Sequence, residues 1–236
     1  MIGIQGDNHG QLDILMTNID MHGSSGMTIF HVGDFGYCLD KTYQDEHRYK
    51  TSIKTFNKFL KSRGIIMYVV RGNHDNPSYF DGRFILSNVK LVEDYTVVRV
   101  ENKNWLLVGG AISIDRNART HGFSYWRDEV FVLDLNKVDS MRDIDCVVTH
   151  NAPEFALDHA VLTPGVVERF SIGYNDPHLL ADVNLERSKL SVLCETLRLN
   201  NNITHWYYGH YHDSMTVHQD GTVFKCVAID VMIEHV

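Results

Sequence analysis

The amino-acid sequence predicts an α/β fold, a four-layer α/β/β/α sandwich in which two mixed β-sheets pack face to face and are flanked by helices. In much of the chain, short apolar runs typical of strands alternate with stretches of helical periodicity. Elsewhere, consecutive strand-like runs are separated only by short polar turns, as in antiparallel hairpins. Strand-helix units combined with hairpins favour mixed sheets with helices outside.

The strand-helix units supply the parallel strands. Strands are predicted at largely apolar runs, at residues 1–4, 28–32, 65–70, 146–148 and 206–208. Helices are predicted at residues 11–21, 43–62 and 177–200, where apolar residues recur at helical spacing. In the first of these helices Leu12, Leu15 and Ile19 share one face, which is expected to pack on a sheet.

The hairpins lie in two other parts of the chain. Three successive strands are predicted at residues 88–92, 95–100 and 105–111, and a polar turn at residues 101–104 joins the last two. Near the end of the sequence, strands at residues 215–219 and 222–229 flank Asp220-Gly221, which is a typical hairpin turn.

Five short polar motifs follow predicted strands at the point where each strand ends. They are GDNHG at residues 6–10, GD at 33–34, GNHD at 72–75, TH at 149–150 and GHYH at 209–212. Carboxylate oxygens and neutral imidazole nitrogens bind divalent cations, and a bridging carboxylate can hold two of them about 3.5–4 Å apart. Asp34 stands alone in its motif and is the natural bridge. The motifs therefore predict a site for two metal ions at one rim of one sheet.

In this order, the motifs resemble the signature of the calcineurin-like metallophosphoesterases, and the resemblance spans the chain from Asp7 to His212. It implies the same four-layer sandwich and two divalent ions. One ion would be held by Asp7, His9, Asp34 and His212, and the other by Asp34, Asn73, His150 and His210. His74 would face the substrate and help the leaving group to depart. A finer resemblance, to small stand-alone members from bacteria and their phages, rests on residues 109–129 and 149–153.

Each motif taken alone is more typical of an ordinary turn, because Asn, Asp and Gly are common turn formers. A lone histidine at a strand end, such as His150, is likewise more often a structural group than a ligand. The five motifs in family order favour the metal site over these alternatives.

The resemblance also implies a reaction. The protein is expected to be a metal-dependent phosphoric ester hydrolase, either a phosphodiesterase or a phosphomonoesterase. A hydroxide held between the two ions would attack phosphorus, and His74 would donate a proton to the leaving oxygen. Asp75 or a backbone carbonyl is expected to orient His74. Manganese or an iron-containing pair is the expected metal, and Zn²⁺ and Co²⁺ also suit these ligands.

A long loop at residues 109–129 is the other candidate functional segment. It carries Arg116, Arg119 and Trp126, and long loops in compact domains are often functional. Guanidinium groups bind phosphate oxygens in bidentate fashion, and tryptophan can stack on a base or leaving group. The three residues are therefore predicted to bind substrate. The alternative is a surface loop whose arginines pair with its own acidic residues.

Composition limits the class of protein. The 236 residues are predicted to form one domain, because any split would divide the motifs. No apolar run approaches the length of a membrane span. The cysteines include no CxxC pair and are expected to be reduced thiols: Cys38, Cys146, Cys194 and Cys226. Because a strand is predicted at the first residues, no signal peptide is expected, and the protein is expected in the cytoplasm.

The charge of the chain bears on its substrate. The formal net charge is −8, and no basic face of the kind that binds long nucleic acid is evident in the sequence. Two divalent cations would still attract a phosphate to the site itself. The expected partner is therefore a small or locally bound phosphoester, with a nucleotide or a short nucleic-acid end among the candidates.

Two other functions remain open from the sequence. One is an Mre11-like nuclease, which shares the GNHD ending but normally adds a DNA-gripping segment that is not evident here. The other is a non-catalytic scaffold with the same fold, although the presence of His74 and of all the implied ligands argues against it. A protein serine/threonine phosphatase is disfavoured, because Phe35-Gly36 follows Asp34 in place of a DRG element and Asp75 replaces glutamate.

Overall fold

Two mixed β-sheets form the centre of the computed structural model, which describes residues 1–36, 46–156 and 165–236. Within these residues the first sheet contains β1 (Ile2–Gln5), β2 (Thr28–His31), β3 (Ile66–Val69), β4 (Val89–Leu91) and β11 (Met232–Glu234). Its spatial order is β11-β1-β2-β3-β4. Strands β1 to β4 are parallel, and β11 runs antiparallel to β1.

The second sheet combines parallel strands with a hairpin at each edge. It contains β5 (Thr96–Val100), β6 (Lys103–Val108), β7 (Cys146–Thr149), β8 (His205–Tyr208), β9 (Met215–Gln219) and β10 (Thr222–Cys226). Its spatial order is β5-β6-β7-β8-β10-β9. The four inner strands are parallel, whereas β5 and β9 pair antiparallel with β6 and β10.

An apolar layer lies between the two sheets. Ile4 and Phe30 of the first sheet pack in one cluster with Trp105 and Tyr207 of the second. The rings of Phe30 and Trp105 stack with their centroids 4.3 Å apart. All four side chains are fully buried. The two sheets therefore face one another across an apolar layer.

Helices cover both outer faces. They are α1 (Leu12–His22), α2 (Glu46–Ser62), α3 (Leu135–Val138), α4 (Val166–Gly173) and α5 (Leu179–Asn200). Leu15 of α1 and Phe56 of α2 pack against the first sheet, and Leu193 of α5 packs against the second. The predicted four-layer α/β/β/α sandwich is therefore confirmed. Among the described residues, no helix is both long enough and apolar enough to cross a bilayer.

Both predicted hairpin turns are present. Glu101 and Asn102 have φ angles of 49° and 63°, and Asp220 and Gly221 have φ angles of 49° and 84°. Two successive positive φ angles are typical of the tight turns that match the twist of a hairpin. Strand β6 begins at Lys103 rather than at residue 105 because the turn is this short.

Several elements differ from the sequence prediction. The predicted start of the second helix at residue 43, and Cys38, lie outside the described residues. Helix α4 was not predicted, because its β-branched residues weaken a helical pattern. Strand β11 has only three residues, none of them fully buried. It forms by pairing with β1, a long-range contact that a local pattern does not reveal.

The parallel pairing positions the polar motifs. Gln5, His31 and Val69 lie in register at the carboxyl ends of β1, β2 and β3, and β7 and β8 end beside one another in the second sheet. The five motifs leave these five strand ends. They therefore gather at one rim of the sandwich, and both sheets contribute to it rather than one alone.

Candidate active site

The first predicted ligand group forms a compact cluster. Donor atoms of Asp7, His9, Asp34 and His212 all lie within 4.8 Å of one another. His9 Nε2 is 3.0 Å from His212 Nε2, and His212 Nε2 is 3.5 Å from an Asp7 carboxylate oxygen. His9 Nε2 also lies 3.8 Å from Asp34 Oδ2. Two imidazoles and two carboxylates thus converge on one point.

The second predicted group converges beside it. Asn73 Oδ1 is 2.9 Å from His210 Nδ1 and 3.0 Å from His150 Nε2. His150 Nε2 is 3.3 Å from Asp34 Oδ1. Asp34 therefore contacts both groups through its two oxygens, and the structure brings all the predicted ligands together.

The donor set fits divalent cations. The carboxylates of Asp7 and Asp34 are almost completely buried, and in the described part of the chain Asp7 Oδ1 has no hydrogen-bond partner. A buried charge is costly unless it is paired or bound to a metal. Burial alone would raise the pKa of Asp34, but the nearby charge of His150 holds this pKa well below its usual range. The cluster thus needs positive charge, which divalent ions supply.

His150 responds to the same carboxylates. Burial alone would lower its pKa, but the nearby charges of Asp34 and Asp7 raise that pKa to about 10. The carboxylates thus stabilise a positive charge at this point of the cluster. A cation at the site would replace the proton in that role.

Four of the predicted ligands have an unusual backbone conformation. The φ angles of His9, Asp34, His210 and His212 are 45°, 51°, 69° and 55°. Such left-handed conformations cost about 1–3 kcal/mol each for residues other than glycine and cluster at functional sites. The strain is consistent with loops shaped to direct ligands inward, and the sequence motifs carried no sign of it.

Two glycines of the motifs are required by close contacts. A Cβ atom at Gly72 would lie 2.1 Å from Asp34 Oδ1, and one at Gly209 would lie 2.1 Å from Asp7 Oδ1. Neither distance can be accommodated without displacing a carboxylate. The glycines therefore allow the backbone to approach the buried acids directly.

Substitution of Gly72 tests this packing. We expect Gly72→Ala to displace Asp34, to lower the metal content of the purified protein and to cost about 1–3 kcal/mol of stability, the range for overpacking. Gly173→Ala is the matched control, because a Cβ atom there meets nothing within 4 Å. Metal analysis and thermal unfolding of both variants measure the effect. Equal behaviour of the two variants would show that the loop accommodates the methyl group.

Hydrogen bonds hold the ligands from behind. His150 Nδ1 donates to the Val32 carbonyl at 2.8 Å, and Asn73 Nδ2 donates to Ser113 Oγ at 3.1 Å. His31 Nε2 lies 2.8 Å from Asn8 Oδ1, next to the ligands in the first motif. The sequence analysis missed His31, although a histidine inside an apolar strand was a usable signal.

A buried carboxylate on α5 fixes the loops around the cavity. Glu186 accepts hydrogen bonds from the backbone N–H groups of Ile112 and Phe131 at 3.0 and 2.9 Å, and from Asn151 Nδ2 at 2.8 Å. Burial raises the pKa of Glu186. It was missed because a glutamate within a helix is ordinarily a surface residue.

His74 lies beside the ligands and contacts Arg119. Its ring is 4.8 Å from that of His9, and Arg119 Nη2 donates to His74 Nε2 at 2.7 Å. Burial, with the charge of Arg119 as a smaller contribution, lowers the pKa of His74 to about 4. In this arrangement the imidazole is neutral and accepts a hydrogen bond.

Asp75 and Arg119 connect neighbouring loops. The Asp75 carboxylate accepts hydrogen bonds from the backbone N–H groups of Phe35, Gly36 and Gly72, at 3.2, 2.7 and 2.8 Å. Arg119 Nε lies 2.6 Å from Asp115 Oδ1, while Arg119 Nη1 is buried and finds no hydrogen-bond partner within residues 1–36, 46–156 and 165–236. Arg119 thus keeps one unused donor close to His74.

The other two loop residues predicted to bind substrate have different surroundings. Arg116 donates to Asp176 at 2.5 and 3.0 Å and to Asp182 at 2.6 Å. The side-chain hydrogen bond to Asp176 is the main cause that raises the pKa of Arg116. Trp126 is only 8% exposed. Neither residue lines the cavity above the ligand cluster, whereas Arg119 does.

That cavity has a volume of about 420 Å³, which lies in the range of small-molecule sites. Its floor is formed by ligands of both groups and by His74, and Asp115 and Arg119 line one part of its wall. Residues of α4 and α5 complete it. The arrangement offers a small organic molecule a place directly above the ligand cluster.

A second group of potential metal ligands lies at the opposite ends of the strands. It consists of Cys146, His205 and His235. Both ring nitrogens of His235 already have hydrogen-bonding partners, Lys103 Nζ at 2.8 Å and the Tyr207 hydroxyl at 2.7 Å. The Lys103 ammonium group would oppose a cation there, so we interpret this group as a structural polar cluster.

The described cysteines are free. Cys146, Cys194 and Cys226 are buried thiols, and burial raises the pKa of Cys146 to about 11. A raised pKa keeps the thiol protonated and unreactive near neutral pH.

The fold thus combines two mixed sheets with a cluster of buried carboxylates and histidines at one rim. The chain belongs to the family described as calcineurin-like phosphoesterase, whose family model matches residues 1–214. The family acts on phosphoesters and uses divalent metal ions, so the resemblance seen in the motifs and the predicted enzyme class are confirmed.

Solved structures share the fold. A candidate 5′-nucleotidase of Staphylococcus aureus, in complex with α-ketoglutarate, aligns over 97% of this chain and 48% of its own, with 12% identity and a TM-score of 0.56. This chain therefore spans about half the length of that protein. A dimetal phosphatase of Danio rerio aligns over 97% of this chain and 87% of its own, with 13% identity and a TM-score of 0.57. A comparison with curated protein sequences found no match.

Proposed function

We propose that the protein is a dinuclear metal-dependent phosphoesterase that hydrolyses a small or locally bound phosphoester. The observation that carries the proposal is Asp34, whose two oxygens face two separate ligand groups. A shared carboxylate is what a pair of ions about 3.5–4 Å apart requires. Candidate substrates include a nucleotide and a short nucleic-acid end. Both phosphomonoesters and phosphodiesters are compatible with the polar residues of the cavity.

The proposed ligands divide as the motifs imply. One ion would be held by Asp7, His9, Asp34 and His212, and the other by Asp34, Asn73, His150 and His210. When bound, such ions polarise the phosphoryl group and activate water near neutral pH. This mixed oxygen and nitrogen set suits Mn²⁺ or an iron-containing pair, and it also accepts Zn²⁺ and Co²⁺.

We propose that His74 and Arg119 act together on the substrate. Arg119 is held by Asp115 on one side and donates to His74 on the other. An anionic phosphate placed between them would attract Arg119 and would raise the pKa of His74, because a negative charge favours the imidazolium. His74 could then donate its proton to the leaving oxygen. Asp75, which holds the loops through backbone N–H groups, is proposed to position His74 rather than to contact substrate.

The substrate role proposed for the long loop is centred on Arg119. Arg116 is neutralised by Asp176 and Asp182, and Trp126 packs in the protein interior. These surroundings favour a structural role for both residues.

We also propose that residues 1–236 form a single domain, because the proposed ligands come from the ends of strands in both sheets. The protein is proposed to be cytoplasmic, since its described thiols are free.

A screen with four substrate types tests the function. The protein, supplemented with manganese, is offered bis-p-nitrophenyl phosphate, p-nitrophenyl phosphate, cyclic nucleotides and short oligonucleotides. We expect hydrolysis of at least one, with loss of activity on chelation and recovery when manganese returns. Preferential digestion of oligonucleotides with strong salt dependence would favour the nuclease alternative. Metal-loaded protein that hydrolyses none of the four would contradict the proposal.

Substitution of Arg119 tests its contact with phosphate. We expect Arg119→Ala to raise KM and to reduce kcat/KM by an amount equivalent to about 1.5–3 kcal/mol, the range for a hydrogen bond to a charged group. Arg127→Ala is the matched control, because Arg127 is an exposed arginine of the same loop. Steady-state kinetics on the best substrate measure both variants.

The same variants distinguish a substrate contact from a structural ion pair. Loss of the partly exposed pair with Asp115 should change stability by no more than about 1 kcal/mol. Arg116→Ala should instead lower the melting temperature, because Arg116 ties the loop to Asp176 and Asp182. If Arg119→Ala and Arg127→Ala have equal kinetics, Arg119 forms a structural ion pair and does not contact the substrate.

A further inference from the structure

The cavity above the ligand cluster has one apolar side. Its lining includes the charged and polar residues described above, but it also includes four aliphatic and aromatic side chains that belong to one apolar cluster. These are Ile114, Val166, Val167 and Phe170, here called the apolar wall. A lining that combines an apolar surface with a few polar groups is typical of a site that orients a small organic molecule.

The apolar wall is anchored in the core but remains accessible. Val167 is buried and packs with Ile112, Leu179 and Val183, whereas Val166, Phe170 and Ile114 are only partly buried. On the opposite face of the same short helix, Ile172 is 83% exposed. Helix α4 therefore presents a supported apolar surface to the cavity, and an organic group placed there would remove it from water.

A second arginine, besides Arg119, lines the same cavity. Arg187 of α5 lies over the ring of Tyr211, with its guanidinium carbon 6.0 Å from the ring centroid. Its Nε is buried and has no hydrogen-bond partner among the residues that the structure describes. Within the described part of the chain, Arg187 forms no ion pair, whereas Arg116 and Arg119 both do. A guanidinium group with an unused buried donor is suited to an incoming anion.

Arg187 is close to the second ligand group. Tyr211 follows His210 in sequence, and their rings are 5.1 Å apart. Arg119, in contrast, contacts His74. The two arginines therefore approach the cluster at different residues. A phosphoryl group bound above the cluster could contact both guanidinium groups.

We propose that the substrate is a phosphoester that carries an apolar or aromatic organic group, which lies against the apolar wall while Arg187 binds an oxygen of its phosphoryl group. The assignment rests on the proposed phosphoesterase function, since it names the substrate class of the same cavity. A phosphoester with a strongly polar organic group would leave the wall exposed and would bind less tightly.

Two phosphonates of equal charge test the apolar wall. Phenylphosphonate and methylphosphonate are titrated calorimetrically into the manganese-loaded protein, at a pH where both are dianions. We expect phenylphosphonate to bind about tenfold more tightly, which corresponds to about 1.4 kcal/mol. Phe170→Ala should remove most of this preference. Ile172→Ala, on the exposed face of α4, should retain it. Equal affinities in the unsubstituted protein would overturn the proposal without reference to any variant.

Arg187 is tested with the same two ligands. Arg187→Gln should weaken both phosphonates by about tenfold and leave their ratio unchanged, because it removes a contact to the phosphoryl oxygens only. Lys189→Gln is the control, since Lys189 is an exposed cation on the same helix. Thermal unfolding of each variant verifies that it is folded, and Arg187→Lys should recover part of the affinity. Unchanged affinity in folded Arg187→Gln would overturn the role of Arg187.

Calorimetry separates this inference from the proposed function, because binding requires no turnover. A clear preference for phenylphosphonate without hydrolysis of any phosphoester would contradict the phosphoesterase and leave the cavity assignment intact. Hydrolysis of phosphoesters with no preference between the phosphonates would support the phosphoesterase and contradict the role of the apolar wall.

Discussion

Replacement of His74 with asparagine is expected to lower kcat by about 10²–10⁴-fold, the usual contribution of a positioned general acid, while the metal content stays unchanged. His74 lies beside the ligands, but its Nε2 accepts a hydrogen bond from Arg119 rather than joining either ligand group. The asparagine amide is shorter than the imidazole and does not reach the position of Nε2, so the hydrogen bond to Arg119 is lost together with the proton transfer. The backbone of the motif and the neighbouring predicted ligands should be unaffected, which the metal analysis checks.

The dependence on the leaving group identifies the role of His74. A nitrophenolate leaves without much assistance, whereas an alkoxide needs a proton as the bond to phosphorus breaks. The loss in kcat for His74→Asn should therefore be much larger for an alkyl ester than for a nitrophenyl ester. Metal analysis of the same preparation provides the control. Equal losses on both esters would exclude the general-acid role.

The sequence was sufficient to predict that the side chains of the five motifs lie together, because parallel strands align their ends. Asp7, Asp34 and Asn73 follow adjacent strands whose registers bring their carboxyl ends together, so a local pattern located residues that are distant in sequence. His150 and His210 follow adjacent strands of the second sheet in the same way. The prediction that a single sheet collects all of them was wrong, since the second sheet supplies three of the histidines.

The residues around the cluster could not be predicted in this way. Arg116 and Arg119 are three positions apart in one loop, yet one pairs with Asp176 and the other reaches His74. Their partners come from segments that fold back over the cavity, and sequence spacing alone does not determine such contacts. The left-handed backbone at His9 or His212 is likewise set by tertiary packing and not by residue type.

Helix α4 illustrates the same limit. Its Val166-Val167 start is a weak helical signal, and its role depends on which of its faces reaches the cavity. Phe170 lines the cavity, while Ile172 is exposed on the other side. The sequence alone does not show which of the two residues faces the cavity. The position of α4 in the fold is needed to distinguish Phe170, which is proposed to contact substrate, from the exposed Ile172.

Substitution of the shared ligand should have the largest effect on the metal content. We expect Asp34→Asn to lower the occupancy of both ions, because Asp34 is the carboxylate whose oxygens face both groups. Activity should fall by at least about 10³-fold, since the ions supply several kcal/mol of charge stabilisation. The fold should be retained, because asparagine tolerates the left-handed φ of 51° at this position.

A graded comparison makes the assignment specific. His212→Ala should deplete mainly one ion, because the His212 ring contacts Asp7 and His9 of the first group alone. Asp213→Asn, at the exposed neighbouring residue, should retain both ions and controls for the loss of a negative charge. Metal-to-protein ratios of the purified variants, measured beside thermal unfolding, decide between these outcomes. If folded Asp34→Asn keeps two tightly bound ions per chain, Asp34 is not the bridge, and the proposed dinuclear arrangement is wrong.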